Sequence, residues 1–148
     1  MNTKHVEDCI DVCNSLLRGE ISAIETYSQA IHRFGDATDV TLLENLRRDH
    51  ITSANRLREY VREMGGEPSN DSGVWGTWAR MVEGAAGLIG ETAAIKALQE
   101  GEEHGEKEYE AALENDDVLP EFQELIRADL LPWQRQHIST IRGLAKSR

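Results

Sequence analysis

A chain of 148 residues is long enough to bury roughly two-thirds of the surface it would expose unfolded, so a single domain spanning residues 1–148 around one core is expected. Its formal net charge of −11 opposes binding to a nucleic-acid backbone or an anionic membrane surface, both of which are held by clustered Lys and Arg. The first residues lack the apolar run of a secretory leader, and no stretch nears the roughly 18 apolar residues that span a bilayer, so a cytoplasmic protein is expected.

From Val6 to Phe34, apolar residues recur by threes and fours at Val6, Ile10, Cys13, Leu17, Ile24, Tyr27, Ile31 and Phe34. This predicts a helix with one core-facing seam. The step from Leu17 to Ile24 skips one seam position, and Glu20 occupies it, while Glu25 falls off the seam and is expected in solvent. Cys9 and Cys13 are the only cysteines and lie one turn apart on this helix. They read as small buried or half-buried thiols, with a local disulfide or a metal pair as lesser alternatives.

Gly35 to Asp39 combines a glycine stop with good N-cap residues, so a second helix from about Asp39 to Met64 should run antiparallel to the first. Its seam is Leu43, Arg47, His50, Ala54, Leu57, Val61 and Met64, which puts two polar groups, Arg47 and His50, on the inner face. Gly65-Gly66-Glu67-Pro68 ends it. A long connection follows, with a short amphipathic helix from about Trp75 to Ile89 whose tryptophans are expected to cover the bundle.

A third helix is predicted from about Glu91 to Glu114, with the seam Ile95, Leu98, Glu102, Gly105, Tyr109 and Ala112. The other acids around Glu102 form a solvated face. Pro120 suits the first turn of a fourth helix reaching about Ala145, with Phe122, Ile126, Leu130 and Trp133, His137, Thr140 or Ile141, and Leu144 inside and a kink at Pro132. His5, His32 and His104 fall off the seams and read as surface groups.

Two of these helices carry one phrase written twice. Leu16, Gly19, Glu20, Tyr27 and Ala30 match Leu98, Gly101, Glu102, Tyr109 and Ala112 in the same frame. Four long helices with short first and third connections and a long second one predict an all-α, ferritin-like four-helix bundle with one long crossover carrying the short extra helix. Each long helix then places one metal-ligating side chain inside: Glu20, His50, Glu102 and His137. Carboxylate and imidazole are the donors a divalent ion such as zinc, iron or manganese takes, and such an ion compensates for removing carboxylates from water. Tyr27 and Tyr109, two turns beyond their glutamates, are expected to donate hydrogen bonds to these ligands.

The phrases Leu17-Arg18-Gly19-Glu20 through Tyr27, Met64 to Pro68, Asp71 to Gly76 and Leu98 to Glu102 through Tyr109 resemble a bacterial family of ferritin-like four-helix-bundle proteins of unknown function, related in pattern to bacterioferritins and rubrerythrins. The resemblance covers about residues 5 to 145 and implies the bundle fold. Carried over residue by residue, it makes Glu20 and Glu102 look like terminal carboxylate ligands and His50 and His137 look like the histidines. A di-iron bundle also needs a glutamate three residues before each histidine, and here Arg47 and Gln134 stand in those places.

Three functional readings follow. The first is a bundle that binds one divalent metal in a degenerate di-iron site. The second is a metal-free structural or interaction protein in which Arg47 neutralises the carboxylates. The third is a di-iron oxidase or iron-storing subunit with Glu44, Asp49 or Glu103 recruited as bridges, disfavoured by Arg47 and Gln134. No pattern in the sequence chooses among a monomer, a homodimer and a cage subunit.

Overall fold

The computed structural model describes residues 3–73 and 90–148. The predicted crossover helix over Trp75 to Ile89 lies outside the described residues. Helix α1 (Thr3–Ala30) passes through a 3-10 turn (Ile31–Arg33) into α2 (Ala37–Glu63), and α3 (Glu91–Leu113) follows the crossover. The last helical run comprises α4 (Pro120–Leu125), a π-helical stretch (Ile126–Leu130) and α5 (Leu131–Lys146). Among the described residues there is no strand, and no helix is long and apolar enough to cross a membrane.

The turn into α2 is secured by Asp36, whose carboxylate accepts from the backbone N–H groups of Thr38 and Asp39 at 2.8 and 3.1 Å. That satisfies two of the donors a helix start leaves open. At the other end of α2, Gly65 has φ +86 and its N–H bonds to Arg62 O, while the Gly66 N–H bonds to Val61 O. This paired closure requires a left-handed residue in the place of Gly65. Gly66 is needed for a different reason: a Cβ there would lie 2.8 Å from the Ile10 side chain of α1.

Beyond that stop the chain lies along α1. The Asn14 amide donates to Glu67 O at 3.0 Å and accepts from Ser69 N at 2.9 Å, and Ser72 Oγ donates to Glu25 at 3.3 Å. Glu25, expected in solvent, is thus half-buried against the crossover because this strip covers its face of α1. The buried face of α1 is wider than one seam: Cys9, Leu16, Ile21, Ser22, Thr26 and Ala30 are inside together with Cys13, Leu17, Glu20 and Tyr27, while Ile10 and Ile24 are half-buried.

In α4 to α5 the buried positions Phe122, Ile126, Leu130 and Gln134 advance in steps of four. An α-helix turns in 3.6 residues, so such a run would drift off one face. The π-helical stretch absorbs the extra residue through a bond from Leu131 N to Ile126 O, just ahead of Pro132, whose ring and missing N–H disrupt the regular ladder there. The consequence is a register correction. Gln134 rather than Trp133 faces inward, with Trp133 half-buried beside it, and His137, Ile138, Ile141 and Leu144 follow on the inside.

Two apolar clusters fill the bundle. One gathers Cys9, Cys13, Leu17, Leu57, Val61, Phe122 and Ile126, and the other gathers Tyr27, Phe34, Leu43, Ile95, Leu98, Ile141 and Leu144. The buried polar residues Glu20, His50, Glu102, Gln134 and His137 belong to neither. Replacing Gly65 by Ala should destabilise the fold by about 1–2 kcal/mol, the cost of a left-handed backbone at a residue with a Cβ; a lowered urea midpoint with an unchanged slope would register it.

Candidate metal centre

Each long helical run contributes to the polar layer. Glu20 comes from α1, His50 from α2, Glu102 from α3 and Gln134 with His137 from α5, and none is more than 4% exposed. Carboxylates this deep need compensation, because burial alone favours their protonated form. The geometry supplies it in two distinct ways.

Glu20 is fully engaged. Its Oε1 accepts from the Tyr109 hydroxyl at 2.7 Å, and its Oε2 lies 2.6 Å from His50 Nδ1. Glu102 is engaged on one side only. The Gln134 amide donates to its backbone carbonyl at 2.8 Å and to its Oε1 at 3.3 Å. A Cβ at Gly105 would lie 2.5 Å from that amide nitrogen, so a glycine on the α3 seam is what lets Gln134 reach Glu102.

The Glu102 carboxylate also approaches both histidines without bonding well to either. His50 Nε2 stands 2.7 Å from Oε1 and His137 Nδ1 stands 3.3 Å from Oε2. Despite these distances His50 Nε2, His137 Nδ1 and Glu102 Oε2 are all buried without a hydrogen bond of acceptable direction. The far nitrogens, by contrast, are both held: His50 Nδ1 by Glu20, and His137 Nε2 by Asp49 Oδ2 at 3.1 Å. The imidazole rings lie 4.6 Å apart between centroids, with Tyr27 5.4 Å from His50 on the other side. One potential ligand atom from each of His50, Glu102 and His137 falls within 4.8 Å of the others.

The charges follow from these contacts. Burial works against an imidazolium at His50, but Glu102 and Glu20 on either side outweigh it and raise its pKa well above the usual value. Burial likewise pushes Glu102 up, and the surrounding histidines overcome it and bring its pKa down to about 2. Burial and the nearby carboxylates hold both tyrosines protonated, each raised well above the ordinary phenol value. Tyr109 spends its proton on Glu20, whereas the Tyr27 hydroxyl, directed toward Glu102, makes no bond of good geometry.

The structure therefore brings together all four sequence-expected ligand residues, but in different roles. Both oxygens of Glu20 are occupied, so it backs His50 instead of presenting a free atom. Tyr109 reaches the glutamate of the other repeat, because α1 and α3 run antiparallel. Arg47 does not neutralise either carboxylate: among the described residues it forms no ion pair within 4 Å, and its guanidinium donates to Ser28 Oγ on α1 at 3.2 Å. One step around the helix from the inner face, it is half-buried between α1 and α2, and His50 takes the compensating position. Asp49 emerges as the partner of His137, a role with no periodic signal in the sequence because it follows from the α2–α5 spacing. A crevice of about 20 Å³ beside Glu20, His50, Tyr109 and Gln134 has room for a water or an ion, not for an organic substrate.

The chain belongs to the DUF2383 family, a domain of unknown function, whose sequence profile matches residues 8–115. That span contains Glu20, Tyr27, His50, Glu102 and Tyr109, while Gln134 and His137 lie beyond it. No curated protein and no solved structure matches the chain.

The depressed pKa of Glu102 carries a sign. Its ionised form contributes stability fully present above the usual value of 4.5 and lost as pH falls toward about 2. Thermal unfolding of the metal-free protein should thus lose Tm over that window, and Glu102→Gln should flatten the loss. An acid limb as steep in the variant as in the wild type would contradict this assignment.

Proposed function

We propose that this member of the DUF2383 family is a ferritin-like bundle that binds one divalent transition-metal ion through His50 Nε2, His137 Nδ1 and the Glu102 carboxylate. The observation that carries the reading is the set of three buried, convergent ligand atoms without hydrogen bonds, each on a side chain whose other polar atoms are held from outside. Buried polar atoms are rarely left unpaired. Metal-bound histidines characteristically give their second nitrogen to a carboxylate or carbonyl, which fixes the tautomer, and here Glu20 and Asp49 stand in those places.

The donor set fits zinc or iron(II): two imidazoles and one carboxylate leave part of the coordination sphere for water or another small ligand. When bound, the ion supplies Lewis acidity or, for iron, a one-electron couple. The protein's own part is to hold His50 Nδ1 and His137 Nε2 from outside, so that His50 Nε2 and His137 Nδ1 face the ion, and to exclude bulk water. A dinuclear centre is disfavoured, because Glu20 has no free oxygen and Arg47 and Gln134 occupy the bridging positions. Without the ion, an imidazolium at His50 balances the two glutamates, so the ion takes the place of a proton.

Wild-type protein purified without a histidine tag should take up about one equivalent of Zn²⁺ or Co²⁺ per chain, and Glu102→Gln and His137→Ala should each bind less than about a tenth of an equivalent. Glu20→Gln should still bind, about 10–100-fold more weakly, as for loss of a group that orients a ligand. Because His50 must lose its proton, affinity should increase with pH up to the raised pKa of His50 and level off above it. A wild-type protein that stays below a tenth of an equivalent after reconstitution would overturn the reading.

A further inference from the structure

We propose that Asp49 is the capture point through which a divalent cation reaches the buried ligands, along the seam between α2 and α5. The inference rests on the metal-binding reading above and concerns the route and rate of loading.

Three observations carry it. His50, Glu102 and His137 are sealed at 2% exposure or less, and the side chains bonded to them from α1, α3 and within α5 are sealed as well. Asp49 is the exception: its side chain is 59% exposed, yet its Oδ2 stands 3.1 Å from Nε2 of His137. It therefore joins solvent to a ligand residue in a single contact. Secondly, the backbones of α2 and α5 come close along far less of their length than those of α1 with α2, α1 with α3 or α3 with α5.

Thirdly, apart from His137, no cationic side chain among the described residues pairs with Asp49. Several other acids around the bundle are tied to arginines: Asp129 to Arg56, Glu106 and Glu110 to Arg135, Glu103 to Arg142, and Asp39 to Arg148. Among the described residues Asp49 has no Lys or Arg within 4 Å, and the neighbouring Arg48 turns away to Asn45 at 3.2 Å. An exposed carboxylate beside a low-dielectric site concentrates cations locally and speeds their capture. The same carboxylate fixes the His137 proton on Nε2, so the Nδ1 lone pair faces the arriving ion. Capture and presentation are thus performed by one group, its charge serving the first and its acceptor oxygen the second.

Asp49→Asn separates the two roles, since the amide oxygen can still accept from His137 Nε2 while the charge is gone. Co²⁺ loading, followed by the visible absorption of the bound ion in a stopped-flow instrument, should be about 10-fold slower in Asp49→Asn than in wild type at about 10 mM ionic strength. The two rates should converge near 0.5 M salt, where screening removes the contribution of a surface charge. Because Asp49 also orients His137, the rates are compared at Co²⁺ concentrations that saturate both proteins, and Asp129→Asn, which removes another surface acid, should load at the wild-type rate. Equal loading of Asp49→Asn and wild type at low salt, or a slowing that persists undiminished at 0.5 M salt, overturns the proposal. Failure of wild type itself to bind Co²⁺ overturns the metal-binding reading instead, so the two failures are distinct.

Discussion

Two glutamates taken out of water in the middle of a helical bundle set the terms for everything around them. An isolated buried carboxylate would give up its charge before accepting such a place. Here His50 stands between the pair, 2.6 Å from Glu20 and 2.7 Å from Glu102, and shares its positive charge with both. Every other polar contact in the layer is arranged around that link. Tyr109 and Gln134 supply the remaining donors, and the apolar residues above and below form separate clusters because the layer lies between them.

The duplicated phrase explains how the donors arrive where they are needed. Since α1 and α3 run antiparallel, the tyrosine two turns beyond one glutamate lands beside the glutamate of the other copy. Tyr109 therefore bonds to Glu20, and Tyr27 is directed toward Glu102. The halves are equivalent in sequence but not in use. Glu20 accepts both a phenol and an imidazole and is saturated, whereas Glu102 leaves Oε2, beside His137, without a hydrogen bond. The difference arises from the partner helices, because His137 and Gln134 converge on Glu102 alone.

Much of this was legible in the spacing of apolar residues. A carboxylate on a seam of otherwise apolar positions, as at Glu20 and Glu102, is visible because burial selects against it everywhere else. The same logic located His50 and His137, and the glycine and proline signals placed the connections to within a few residues. What one-dimensional periodicity did not carry was the direction of each side chain. Arg47 shares the inner face of α2 in projection, yet it is half-buried and its guanidinium turns to Ser28. Trp133 and Gln134 exchange places because a π-helical turn inserts an extra residue, and no hydrophobic count registers such an insertion in advance. Asp49 reads in the sequence only as a substitute bridge, and its bond to His137 was not legible for a third reason, since it lies off the seam and acts on a helix distant in sequence.

The unequal treatment of the two glutamates also bears on nuclearity. Two metal ions held side by side need carboxylates that bridge them, and a bridging carboxylate must offer an oxygen to each ion. In Glu20 one oxygen is bonded to a phenol and the other to an imidazole nitrogen, so recruiting it would break two buried contacts at once. Glu102 can turn its unbonded oxygen to an ion with the Gln134 contacts intact, because those fall on its backbone carbonyl and its other oxygen. Nor is any further carboxylate buried in the layer among the described residues. On the proposed reading, a single ion would be held by His50, Glu102 and His137 of α2, α3 and α5, with α1 contributing the glutamate that holds His50 in position.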